Sequence, residues 1–292
     1  MKNLIYITFI SIALFSCSLE LEEEIPWNLA EYPDMLVVES IITNEYKEQV
    51  VKLTLSNPYF DSSAVRNVSG ASVTVDDGTT LIHFFEKEEY PGYYFSEYSF
   101  AAIEQKNYEL TIDLDAPVNG QNQYKASSRM PEGFKIDSID CEILELPYFV
   151  ITDDKEEKDS ALLVILYFGE EPANAENYYF SIVSLNSRFI TGNPKEYNSK
   201  TIPSDNASYA KVDIYRTNAF QNDTIRFRLY TINRDYYRYL NAIKLMDQTG
   251  GGIGNLSGPP ANAAGNISNG TGLGYFLAAY VSEKAGLAKD KR

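Results

Sequence analysis

Acid–base chemistry has little to work with in this chain, because histidine occurs once in 292 residues and cysteine twice. Hydrolysis near neutral pH most often needs a histidine base. His83 lies in the alternation Leu81-Ile82-His83-Phe84-Phe85, with no serine or cysteine signature beside it, and reads as a solvent-facing strand residue. A metal site wants several His, Cys or carboxylate ligands at short spacing, and no such cluster is written here. The run Asp153-Asp154-Lys155-Glu156-Glu157-Lys158-Asp159 lacks the glycine and the alternating oxygens of a calcium loop. Among 41 acidic residues a facing pair of the glycosidase kind can always be drawn, but nothing marks one. Gly250-Gly251-Gly252 is no phosphate cradle, since it follows a helical stretch and has no lysine in reach. The expectation is a non-enzyme with no catalytic residue, no metal and no cofactor.

Positive charge is scarce too. Lys and Arg number 25 against 41 Asp and Glu, for a formal charge of −16, and residues 1–16 contain only one of those cations, Lys2. That balance excludes nucleic acid and an anionic lipid surface as electrostatic partners. The apolar stretch at residues 4–15 falls short of the roughly 20 residues of a spanning helix.

It has instead the length of a secretory h-region, with Lys2 ahead of it and Leu14-Phe15-Ser16-Cys17 closing it as a lipobox. Residues 1–16 then read as a lipoprotein signal peptide and Cys17 as the lipidated first residue; an ordinary signal peptide is the competing reading. Two or three acyl chains, at about 0.8 kcal/mol per buried CH₂, anchor a protein stably without a spanning helix. Residues 17–33 form an acidic tether, in which Glu20, Glu22, Glu23 and Glu24 stay solvated and extended. An acidic patch after the lipidated cysteine resembles the surface-export signal of Bacteroidota lipoproteins, so an outer-membrane, cell-surface address is expected over a periplasm-facing one. With Cys17 acylated, Cys141 has no disulfide partner, and between Ile139 and Ile143 it reads as a small core residue.

What fills the chain is β-strand. Tyr and Phe are abundant, at 23 and 15, and such residues favour strands. Between 34 and 129, alternating segments at 35–42, 50–55, 71–75, 80–85, 93–95, 108–114 and 123–128 are separated by turns at Asp76-Asp77-Gly78, Pro91-Gly92 and Asn119-Gly120. This spacing predicts an antiparallel sandwich, Ig-like or transthyretin-like. Met130-Pro131 marks a seam, after which 134–146, 161–168, 178–185, 211–215 and 224–231 predict a second sandwich of fibronectin-III-like kind over 130–292. The charged run at 153–159 reads as a solvated hairpin tip. Then the period changes: Tyr236, Tyr239, Leu240, Ile243 and Leu245 or Met246 recur at helical spacing and predict one amphipathic helix over about 233–248. Residues 248–282 contain no Asp, Glu, Lys or Arg, and form a Gly/Asn-rich tail ending in an apolar strand at 273–281. The fold class expected is all-β, two tandem sandwiches with one C-terminal helix and that tail.

The order Asn57-Pro58, Val68-Ser69-Gly70-Ala71-Ser72-Val73, Pro91-Gly92-Tyr93-Tyr94, Tyr108-Glu109-Leu110-Thr111 and Tyr124-Lys125-Ala126 resembles the Bacteroidota family called domain of unknown function 4249. The closing run Tyr239-Leu240, Pro259-Pro260, Asn266-Ile267 and Gly272-Leu273-Gly274-Tyr275-Phe276 is similar to that family's end. The resemblance implies a surface lipoprotein encoded beside a TonB-dependent outer-membrane transporter, and hence an accessory that helps capture or gate a nutrient. A structural or adhesive surface β-protein without a transporter is the alternative, and a hydrolase a remoter one. The charge-free tail is either a loop laid across the sandwich or the contact surface for the barrel, with Asn262, Asn266, Tyr275 and Phe276 as contact residues. Tyr275 and Phe276 could equally close the core. Asp159-Ser160-Ala161 matches a short acceptor pattern for O-glycosylation, placing Ser160 beside the hairpin tip.

Overall fold

The computed structural model describes residues 33–57, 65–152, 155–168, 178–189, 209–215, 219–249 and 262–290. Period-two alternation builds the first strands: β1 (Leu36–Thr43), β2 (Val50–Leu55), β3 (Arg66–Asn67), β4 (Ser72–Asp76), β5 (Leu81–Lys87), β6 (Tyr90–Ser96), β7 (Asn107–Val118) and β8 (Gln121–Arg129). In β7, Tyr108, Leu110, Ile112 and Leu114 point inward while Asn107, Glu109 and Asp113 face water. Gly78 supplies the positive φ of the β4–β5 turn, and its N–H donates to Asp76 Oδ1 at 2.7 Å. The Pro91-Gly92 turn is misplaced in the sequence reading. The chain reverses at Glu88-Glu89, and Gly92 lies inside β6 beside an irregularity in the β5–β6 register. There its φ of +81° and the nearby Leu53 carbonyl exclude a side chain.

The remaining strands are β9 (Ile136–Thr152), β10 (Lys155–Phe168), β11 (Tyr179–Leu185), β12 (Arg188–Phe189), β13 (Tyr209–Tyr215), β14 (Thr224–Thr231) and β15 (Leu273–Asp290). Between the last two runs the helix α1 (Arg234–Thr249). Asn233 caps it, its Oδ1 accepting the Tyr236 N–H at 2.8 Å. Tyr236, Tyr237, Tyr239 and Leu240 turn toward the sheet, whereas Leu245 is exposed. The all-β class with a single α-helix among the described residues matches the expectation.

The strand partners are less expected. β15 runs 18 residues instead of ending near 281. Its first half pairs parallel with β1, from Val37 opposite Leu273 to Thr43 opposite Ala279. Its second half pairs antiparallel with β14 and, at its end, parallel with β9. The side-chain amide of Asn44 extends the β1 pairing by one step, exchanging two hydrogen bonds with the Val281 backbone at 2.7 and 3.2 Å. Buried hydroxyls hold the start of β9 and the residues before it against β14 and β15: Thr231 Oγ1 accepts from Phe134 N–H and Ser282 Oγ from Ile136 N–H.

Three apolar clusters follow from this arrangement. The first lies among β1–β8 and takes Phe276 and Ala278 from β15. The second gathers β9, β10, β11 and β14 with Cys141 and Ala288. The third lies between α1 and the opposite face of β15, where Tyr275, Leu277 and Ala279 meet Leu240, Phe180 and Tyr230. Alternate residues of one strand therefore fill two clusters.

Cys141 is 1% exposed, and burial pushes its thiol up to about 11, with Asp140 adding to the effect. In a Cys17→Ser protein, where Cys141 is the one thiol left, dithionitrobenzoate is expected to react only after denaturant is added. Rapid labelling of the native protein would contradict this burial.

Candidate binding cleft

The backbone ladder is open between β8 and β15, and side chains bridge it. Asn266 does most of this: its Nδ2 donates to the Ser127 and Phe276 carbonyls at 2.9 and 2.8 Å, and its Oδ1 accepts from Phe276 N–H at 2.9 Å. Ser128 Oγ accepts from Ala278 N–H, and Ser268 Oγ from Lys125 N–H. The segment before β15 can approach so closely because Gly265 presses against Gly274, where a Cβ on Gly265 would lie 1.7 Å from the Gly274 oxygen.

Where this bridged seam meets α1, a cleft of about 860 Å³ opens. Its strand wall carries Asn107, Glu109 and Arg129 from the ends of β7 and β8. Asp235, Arg238, Tyr239 and Ala242 line the helix wall, and Ala264, Gly265 and Asn266 the loop wall. Tyr275 reaches it from β15, its ring centroid 5.1 Å from that of Tyr239. Burial pushes the Tyr275 hydroxyl up to about 12, with the Asp235 carboxylate adding to it, so the group remains an O–H donor at physiological pH. Arg129 is aimed by its Nε, which donates to the Gln105 carbonyl at 3.1 Å. Arg238 lies 3.5 Å from Asp235 across one helical turn.

The expected contact residues divide between several roles. Phe276 is 0% exposed and belongs to the first core, so its place is the core-closing one. Asn266 is spent on internal hydrogen bonds. Tyr275 is buried against the helix and reaches the cleft, and Asn262 is exposed. Ser160 lies within β10, opposite Glu145 of β9 at a register shift, and of the charged run beside it residues 155–159 are themselves strand. Cys17, Glu20, Glu22, Glu23 and Glu24 lie outside the described residues, as do Pro259-Pro260. No described helix is long and apolar enough to cross a membrane, and no three His, Cys, Asp or Glu among the described residues are grouped to hold a metal.

One surface escaped the sequence reading. Leu81, His83 and Phe85 line the outer face of β5, with Phe85 59% exposed. Beside them on β6, Tyr90 is 56% exposed and packs its ring 6.0 Å from Phe95. Lys87 Nζ lies 4.1 Å over the Phe95 ring. The signal available was the segment Leu81-Ile82-His83-Phe84-Phe85 itself, whose two alternation sets are both apolar or aromatic.

The profile of a family described as domain of unknown function (DUF4249) matches residues 22–285. No curated protein matches the sequence. The matched span takes in every described strand from β1 to β14, the helix, all three walls of the cleft and most of β15. The chain belongs to the domain of unknown function 4249 family.

Proposed function

We propose that this chain is a lipid-anchored protein of the outer face of the outer membrane that docks on a TonB-dependent barrel and hands it captured nutrient, without catalysing a reaction. The observation that carries the docking part is the apolar strip Leu81, Phe85 and Tyr90, exposed in a chain of net charge −16. Contiguous exposed apolar surface of this kind marks protein interaction sites. The Leu14-Phe15-Ser16-Cys17 lipobox and the glutamates after it support the anchor and its address. Family membership supports the transporter as partner, through the genomic pairing that the resemblance implies.

The test is affinity purification of the tagged chain from its native host in mild detergent. A barrel protein is expected to co-purify, and the double variant Phe85→Lys, Tyr90→Lys is expected to lose most of it while keeping its melting temperature, since both side chains already face water. Cys17→Ala should release the chain into the soluble fraction. Recovery of the native chain without any barrel favours the adhesive alternative. A barrel retained in full by the double variant places the interface elsewhere.

A further inference from the structure

The cleft between α1 and the bridged β8–β15 seam suits one ligand chemistry better than the others. Its charges balance locally, Arg129 and Arg238 against Glu109 and Asp235, although the whole chain is strongly acidic. A site with no net charge inside a negative protein offers an anion no field to follow. An extended peptide would add itself to an open strand edge by alternate backbone bonds. That edge of β8 is already taken at Lys125 and Ser127 by the side chains of Ser268 and Asn266. An apolar ligand would find amides and ionised groups on every wall. What the walls do present are planar, forked polar groups: the Asn107 amide, the Arg129 and Arg238 guanidiniums, and the Glu109 and Asp235 carboxylates. Each can bond two neighbouring hydroxyls at once. Tyr239 and Tyr275 add ring surface and hydroxyls, and Ala242, Ala264 and Gly265 leave the space beside them unfilled. The volume of about 860 Å³ falls within the range of small-molecule sites.

We infer that the cleft binds an uncharged oligosaccharide, its vicinal hydroxyls held by Asn107, Arg129, Glu109 and Arg238 and one sugar face laid toward Tyr239. This deepens the capture half of the proposed function and rests on it, but not on the barrel. The test therefore uses the purified detergent-solubilised chain alone, and a failure of co-purification leaves its outcome untouched.

Calorimetric titration would use neutral tetrasaccharides of glucose, galactose, mannose, xylose and N-acetylglucosamine, with tetragalacturonate and tetra-alanine as comparators. At least one neutral tetrasaccharide is expected to bind. Arg238→Ala and Asn107→Ala, both at the exposed rim, should each weaken it by about tenfold, the size of one lost charged or bidentate hydrogen-bond set. Ala264→Trp, which fills the cleft from the exposed loop, should abolish it while the melting temperature stays put. The inference is overturned if no neutral tetrasaccharide binds, if only tetragalacturonate or tetra-alanine binds, or if sugar binding survives all three variants unchanged.

Discussion

Gly274→Ala is expected to prevent the chain from reaching its native fold. Gly274 sits at φ +86°, one residue into β15, and a Cβ there would lie 2.0 Å from the Val38 carbonyl oxygen and 2.9 Å from its carbon. Those atoms are backbone, locked in the β1–β15 pairing, so no rotamer change can make room. Gly265 in turn presses on the Gly274 carbonyl. Moving Gly274 therefore means parting β1 from β15 and withdrawing Phe276 and Ala278 from the first core. Fully burying one large apolar side chain contributes about 2–3 kcal/mol, and a whole domain has only about 5–15 kcal/mol to lose. Gly78→Ala is the control. Its φ is +81°, nearly the same, but nothing lies within 4 Å of the added Cβ. That variant pays the left-handed strain alone, about 1–2 kcal/mol. Soluble yield, far-ultraviolet dichroism and urea midpoints compare the two. A Gly274→Ala protein that melts within a few degrees of the parent would show that β15 is not held as described.

Gln49→Glu should destabilise the fold by about 3–5 kcal/mol near neutral pH, the range for leaving a buried charge uncompensated. Gln49, the residue just before β2, is fully buried. Its Oε1 accepts from Thr43 N–H at 3.1 Å, and its Nε2 reaches the carbonyls of Thr43, Glu45 and Phe100 at 3.2, 3.0 and 2.9 Å. One amide thus pins the β1–β2 connection to the segment after β6. A glutamate of the same shape loses both N–H donors and sets a negative oxygen against three carbonyl oxygens. Burial and those oxygens raise the new carboxyl's pKa in the folded state above its unfolded value of about 4.3. A group raised in this way binds more protons folded than unfolded, so its penalty is smallest below the unfolded value and grows as pH rises through the folded one. The gap between variant and parent in urea should accordingly be wide at pH 7 and narrow near pH 4. A gap that is constant with pH would mean that the side chain has swung out to water.

Strands and helix were legible because their signals are local. Tyr108, Leu110, Ile112 and Leu114 alternate within β7, and Tyr236, Tyr239 and Leu240 keep helical spacing within α1, whatever else the chain does. Partners were not legible. The pairings of β15 with β1 and β9 join residues far apart in sequence, Leu273 with Val37 and Ala288 with Cys141, and both are parallel, a direction that alternation cannot report. The second half of β15 was missed for a related reason. Glu283, Lys284, Lys289 and Asp290 interrupt its apolar residues, so it reads as tail although β14 pairs along it to Leu287. In the turn before β6, Pro91-Gly92 looked like the reversal because glycine has more than one use. Here its positive φ serves an irregular strand beside a close carbonyl. In the described part of the charge-free tail, residues 262–276, several residues are engaged inward. Phe276 is buried, Asn266 spends its amide on the seam, and the glycines admit neighbouring backbone, so the loop forms one wall of a cleft whose other walls come from α1 and β8.

Sharing β15 among all three clusters has a consequence for how the chain acquires its structure. Val37 cannot find Leu273, nor Cys141 Ala288, until nearly the whole sequence has been made. Contacts so far apart in sequence make folding slow, because the loop-closure entropy must be spent before the pairing returns anything. Until then β1, paired only with β2, and β14, paired only with β11, each lack the strand on their other side and leave that edge open to other chains. A nascent chain stopped anywhere before residue 273 is thus an aggregation hazard with two unfinished halves, and its rescue falls to whatever holds it unfolded until the last strand arrives.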